Sequence, residues 1–148
     1  MKKKLPGLMA MGIALVLASC ASTKKDTLTV QERFSRYDLN DDGKISLAEY
    51  SEAATRIIFA TFDENDDGSV TLAEWQGLEG KESDKLFVEH DPNEDGKITL
   101  KEALATTKKK KSFSQEFPGI DANHDGSVVL AEAEAYAAKV RAEMKKKK

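Results

Sequence analysis

The chain of 148 residues carries one cysteine, Cys20, so no intramolecular disulfide can staple it. A chain this short without disulfides needs another source of stability. It has two histidines, His90 and His124, with no nucleophile beside either, which leaves no catalytic constellation and argues against an enzyme. Long apolar runs are absent: Leu5 to Leu17 falls short of the about 20 residues a membrane helix requires. Glycine and proline are missing between Tyr50 and Phe62, so that stretch has nothing to break a helix.

Charge is plentiful but segregated. A third of the residues are charged, yet the formal net charge is only −3. Lysines run together at Lys2–Lys4, Lys108–Lys111 and Lys145–Lys148, while acids gather in four short clusters. Nothing in this balance points to nucleic acid. Lys108–Lys111 reads as a solvated connection, and Lys145–Lys148 as a basic tail after a helix from Leu130 to Met144.

Residues 1–19 have a basic start, a short apolar run and small residues at the end, the pattern of an export signal. Leu17-Ala18-Ser19-Cys20 resembles the bacterial lipobox. The resemblance implies lipidation of Cys20, palmitate included, and cleavage just before it. Residues 20–29 then form the lipidated cysteine and a polar tether, leaving a domain over 30–144 and the tail 145–148. The expected location is the cell envelope, held to the membrane through Cys20. With Ala21 rather than aspartate after the cysteine, that is the periplasmic face of the outer membrane in a Gram-negative host. Loss of Lys2–Lys4 makes the mature chain more acidic. Filling the acid clusters with divalent ions would reverse that sign and let the lysine runs adhere to anionic lipid.

The acid clusters are four copies of one twelve-residue pattern, beginning at Asp38, Asp63, Asp91 and Asp121. Each has oxygen-bearing side chains at positions one, three and five: Asp38, Asn40, Asp42; Asp63, Asn65, Asp67; Asp91, Asn93, Asp95; Asp121, Asn123, Asp125. Glycine stands at position six, where the backbone must turn with positive φ. Position seven offers a backbone carbonyl, from Lys44, Ser69, Lys97 and Ser127. Position twelve offers two oxygens from Glu49, Glu74, Glu102 and Glu132. Six to eight oxygens in a flexible shell suit Ca²⁺, and oxygen ligands throughout argue against transition metals. At residue frequencies of roughly 4–7 %, the six constrained positions meet by chance about once in ten million windows.

These loops resemble those of the EF-hand superfamily, which includes calmodulin. The resemblance implies an all-α fold of four helix–loop–helix units in one compact domain, with short β-bridges between loops made by Ile45, Val70, Ile98 and Val128. Phe34, Phe59, Phe87 and Phe117 each precede a loop by four residues, on the core face of an entering helix. A single helix from Leu47 to Phe62 would keep loops one and two from pairing. Loops two and three would then pair through Val70 and Ile98, with Gly77 and Gly80 breaking the connection. Loops one and four would pair with each other or stay single. A bend near Thr55 would instead restore one–two and three–four pairs.

Loop four departs most from the pattern. Pro118 and Gly119 interrupt its entering helix, and Val129 stands where the others have Ser or Thr, which predicts the weakest site. His90 reads as a packed helix residue, His124 as a solvent-facing loop position, and Trp75 as packing at the start of an exiting helix. Function follows as calcium binding, by a sensor or signalling adaptor with an unidentified protein target, or by a buffer or calcium-stabilised attachment module. After processing only Met144 remains of the methionines, which argues against a broad Met-rich target groove.

Overall fold

The structure, a computed structural model, describes residues 28–146. The expected signal segment, Cys20 and most of the tether lie outside the described residues. Helix α1 (Val30–Tyr37) is followed by strand β1 (Lys44–Ser46) and helix α2 (Leu47–Phe62). Strand β2 (Ser69–Thr71), helix α3 (Leu72–Glu79), a 3₁₀ turn (Lys81–Ser83) and helix α4 (Asp84–His90) come next. Strand β3 (Lys97–Thr99) leads into helix α5 (Leu100–Lys110), and short helix α6 (Phe117–Ile120) into strand β4 (Ser127–Val129) and helix α7 (Leu130–Lys146). Among the described residues no helix is long and apolar enough to cross a membrane.

Each loop leads through a three-residue strand into a helix, and the sequence marks that start. Thr29, Thr71 and Thr99 cap α1, α3 and α5, each in a reciprocal box with the glutamate three residues on. Ser46 and Glu49 make the same exchange at the start of α2. Helix α2 runs unbroken for 16 residues, about 24 Å at 1.5 Å per residue, as the lack of glycine and proline predicts.

The strands pair as β2 with β3 and β1 with β4, both antiparallel. Val70 faces Ile98 in one pair, and Ile45 faces Val128 in the other. Loop two therefore partners loop three, and loop one partners loop four. No bend forms at Thr55, whose hydroxyl hydrogen-bonds to that of Thr107 at 3.1 Å.

Here the expectation of one compact domain is corrected. Contacts separate the described chain into two compact units, residues 54–112 and residues 28–53 with 113–146, the boundary falling within α2. Each strand pair has its own core beneath it. In the first unit Phe59, Phe62, Val70, Trp75, Phe87, Ile98 and Ala103 are buried together. In the second, α1 and α6 pack on α7, and the buried residues include Phe34, Tyr37, Ile45, Tyr50, Phe117 and Val128. All four phenylalanines at the shared upstream position are buried.

Three smaller expectations shift. Gly77 sits inside α3, and only Gly80, with φ of 81°, ends that helix. Lys108–Lys110 form the last turn of α5, and Lys111 closes it in the left-handed region at φ 52°, so the run belongs to a helix end rather than to a connection. Cations suit that end of the helix dipole, and Lys110 also pairs with Glu89. The same preference carries α7 through Lys145 and Lys146, beyond the expected end at Met144.

Candidate metal centres

The four loops share one backbone curl, held by position one. Asp38, Asp63, Asp91 and Asp121 are all buried. One carboxylate oxygen of each accepts the N–H of position five, at 3.0–3.2 Å, and the other the glycine N–H of position six, at 2.9–3.0 Å. The position-three side chains of Asn40, Asn65, Asn93 and Asn123 accept the position-five N–H as well, at 2.8–3.0 Å. Asp42, Asp67, Asp95 and Asp125 accept the position-seven N–H, at 2.8–2.9 Å. Positions one, three and five thus lie on one side of the turn, braced by charge-assisted bonds.

Position four adds a feature the ligand pattern does not require. Asp41, Asp66, Glu94 and His124 all adopt φ of 56–59°, the left-handed region. Asp, Asn and His are enriched there, so the polar choice at three of these positions was a signal in the sequence. His124 is exposed, as expected.

Position seven differs between loops. Ser69 and Ser127 donate their hydroxyls to Asp67 and Asp125 at 2.7 and 2.8 Å. These bonds are the main cause holding both carboxyls below the usual aspartate range. A smaller contribution crosses each strand pair, from Lys97 to Asp67 and from Lys44 to Asp125.

The position-twelve glutamates cap the exiting helices. Glu49, Glu74 and Glu102 each accept a backbone N–H and a hydroxyl from Ser46, Thr71 and Thr99 with one oxygen. Thr71's N–H, and then its hydroxyl, hold the Glu74 carboxyl below its ordinary value; burial and, less, the Asp67 charge oppose them, and the Asn65 N–H adds a smaller lowering. In loop four Val129 supplies only its N–H, to Oε2 of Glu132. Oε1 of Glu132 instead accepts N–H groups from Ala122 and Asn123, at 3.1 and 3.2 Å.

Among the described residues no three His, Cys, Asp or Glu side chains converge as a metal-holding group. The acids are spread over the loop's own donors, with asparagine at position three and a carbonyl at position seven. The donor set still fits a hard cation on one specific observation: Oε1 of Glu49 and of Glu74 is buried without a hydrogen-bond partner. A buried carboxylate oxygen without a donor is costly, and a cation is what it accepts best.

Trp75 is buried, its Nε1 donating to the Ser83 hydroxyl at 2.9 Å. His90 packs against it with ring centroids 5.8 Å apart, and Nδ1 lies 2.8 Å from the Leu86 carbonyl. Burial lowers the His90 pKa from its ordinary value. Both residues occupy the packing roles expected of them.

Helix, acid-rich turn, short strand and capped helix, repeated along one chain, define a helix–loop–helix protein. The family model described as EF hand matches residues 30–53 and 55–78, which supports placing the chain with the EF-hand superfamily. Those stretches cover loops one and two. A comparison with curated proteins finds no match.

Proposed function

We propose that this chain binds Ca²⁺ in four EF-hand loops and acts as a calcium sensor or signalling adaptor at the cell envelope. The ligands are the side chains at positions one, three, five and twelve of each loop, with the position-seven carbonyls of Lys44, Ser69, Lys97 and Ser127. The carrying observation is the pair of buried, unpartnered oxygens on Glu49 and Glu74 beside a braced acid turn. A bound Ca²⁺ would supply positive charge to the carboxylates at positions one, five and twelve. The chain's own contribution is to hold the turn and the exiting helix in register.

A sensor needs apolar surface for calcium to rearrange. Val88 is 60 % exposed and Leu78 50 % exposed, both in the unit of loops two and three. A calcium buffer or a calcium-stabilised attachment module is the competing reading. It draws support from the position-one network, which braces every turn from within the loop. Binding rather than catalysis suits both readings. Attachment through a lipidated Cys20 rests on the lipobox resemblance, and intact-mass measurement of the membrane-extracted protein tests it.

Calorimetric titration of the whole chain tests the central reading: four calcium ions bound per chain are expected. No uptake at millimolar calcium, or unaltered uptake with alanine at Glu49, Glu74, Glu102 and Glu132 together, overturns it. Dye binding to exposed apolar surface should rise with calcium for a sensor and stay flat for a buffer.

A further inference from the structure

The residues just outside each loop form its neck, one before position one and one after position twelve. In loop one these are Tyr37 and Tyr50, stacked with ring centroids 5.4 Å apart and planes 22° from parallel. In loop two they are Phe62 and Trp75, stacked at 4.7 Å and 23°. All four rings are buried. The corresponding residues of loop three are His90 and Ala103, and of loop four Ile120 and Ala133, so neither can close a ring pair.

The glutamates of loops one and two differ from that of loop four as well. In loops one and two the position-twelve Oε1 is buried without a close hydrogen-bond partner, although the Asn65 N–H still helps to lower the Glu74 pKa. In loop four Oε1 of Glu132 already holds two backbone N–H groups and would have to release them to ligate an ion. Because β1 pairs with β4 and β2 with β3, each unit joins one ring-closed loop to one open-necked loop.

We propose that the ring pairs are positioning elements that make loops one and two the leading calcium sites, one in each unit, with loops three and four filling second. The inference rests on the calcium-binding reading above. A stacked pair ties the entering helix to the exiting one across the neck, so the exiting glutamate presents its free oxygen without a further search of helix angles. Ordering done before binding is not charged to the binding step. An aromatic pair contributes enough to separate the two classes by about three- to tenfold in affinity. The short strand pair then passes the ordering of a filled loop to its partner.

The chain carries its own reporters. Its single tryptophan, Trp75, lies in the unit of loops two and three. Its three tyrosines, Tyr37, Tyr50 and Tyr136, lie in the other. Calorimetric titration of the whole chain, with Trp75 and tyrosine fluorescence followed in parallel, should resolve two tighter and two weaker ions. Both optical signals should saturate with the first class. Trp75→Leu and Tyr50→Leu should each reduce the tighter class from two ions to one while total uptake stays at four. Trp75→Phe, which keeps a ring, should restore the second tight ion. Phe59→Leu, a core change away from the neck, should lower the melting temperature and leave two tight ions.

Four equivalent sites in the unmodified protein overturn the inference, whatever the variants do, and leave the calcium reading standing. Two tight ions persisting in both folded leucine variants also overturn it. Absence of any uptake overturns the calcium reading itself.

Discussion

In the unit of residues 54–112 the ring pair at the loop-two neck is Phe62 against Trp75, and the tryptophan nitrogen has a partner in Ser83. In the unit of residues 28–53 and 113–146 the same place is taken by Tyr37 against Tyr50, with Phe113 and Phe117 packed on Tyr50. Both tyrosine hydroxyls there are buried without a hydrogen-bond partner. The two units thus share strand pair, turn and glutamate but differ in how their cores treat polar atoms. One satisfies its single indole donor; the other carries two orphaned hydroxyls, each a desolvation cost.

Changes that break this comparison follow from the differences. Phe62→Ala should have the largest effect, a loss of about 3–5 kcal/mol from a filled core site. Chemical denaturation in chelator would show it in the transition reported by Trp75, more than in that reported by the tyrosines. Tyr50→Phe should move the other unit the opposite way, a gain of about 1–3 kcal/mol as a buried, unpartnered hydroxyl is removed. Its checking measurement is the tyrosine-reported transition, now carried by Tyr37 and Tyr136.

A smaller gain is expected from Val129→Thr. Loops one, two and three close their exiting helices with a hydroxyl that both gives and accepts, and loop four has none. Restoring it should add about 1 kcal/mol, read as a higher melting temperature without calcium.

The effects of pH have opposite signs in the two units. Burial lowers the His90 pKa below 6.5, so the fold prefers its neutral form. That contribution is complete above pH 6.5 and is lost as pH falls below it, in the unit of residues 54–112. Burial raises Tyr37 and Tyr50 above their ordinary value of 10. Their contribution is complete below pH 10 and is lost as pH rises beyond it, in the other unit. Denaturation of the chelated protein across both ranges should show Trp75 responding first to acid, and the tyrosines first to alkali. His90→Leu should flatten the acid branch.

Much of this was legible before any coordinates. The loop positions, the phenylalanine four residues ahead of each and the unbroken helix between Leu47 and Phe62 are local features, fixed by neighbours a few residues away. Pairing of loops two and three followed from that helix. Pairing of one with four did not, because no local feature decides between that pair and two single loops, and β1 meets β4 only across most of the described chain. The lysines at 108–111 read as connection because four charges in a row look solvated, and they are; being solvated does not stop them ending a helix. The stacked necks escaped notice because their partners meet only after the whole loop has curled. Val129 stood out in the sequence as the missing Ser or Thr, and in the structure the hydroxyl it lacks is half of a helix cap.

Nested pairing has a consequence for how the chain reaches this shape. Strand β2 meets β3 within one short excursion of chain, whereas β1 must wait for β4, emerging from the ribosome only after everything between has been made. Joining distant segments costs more loop entropy and is slower. Assembly should run from the inside out: the middle of the chain matures first, and the two outer quarters close last. A chain cut short before Ser127 would leave Ile45 without its mate while Val70 and Ile98 are already joined.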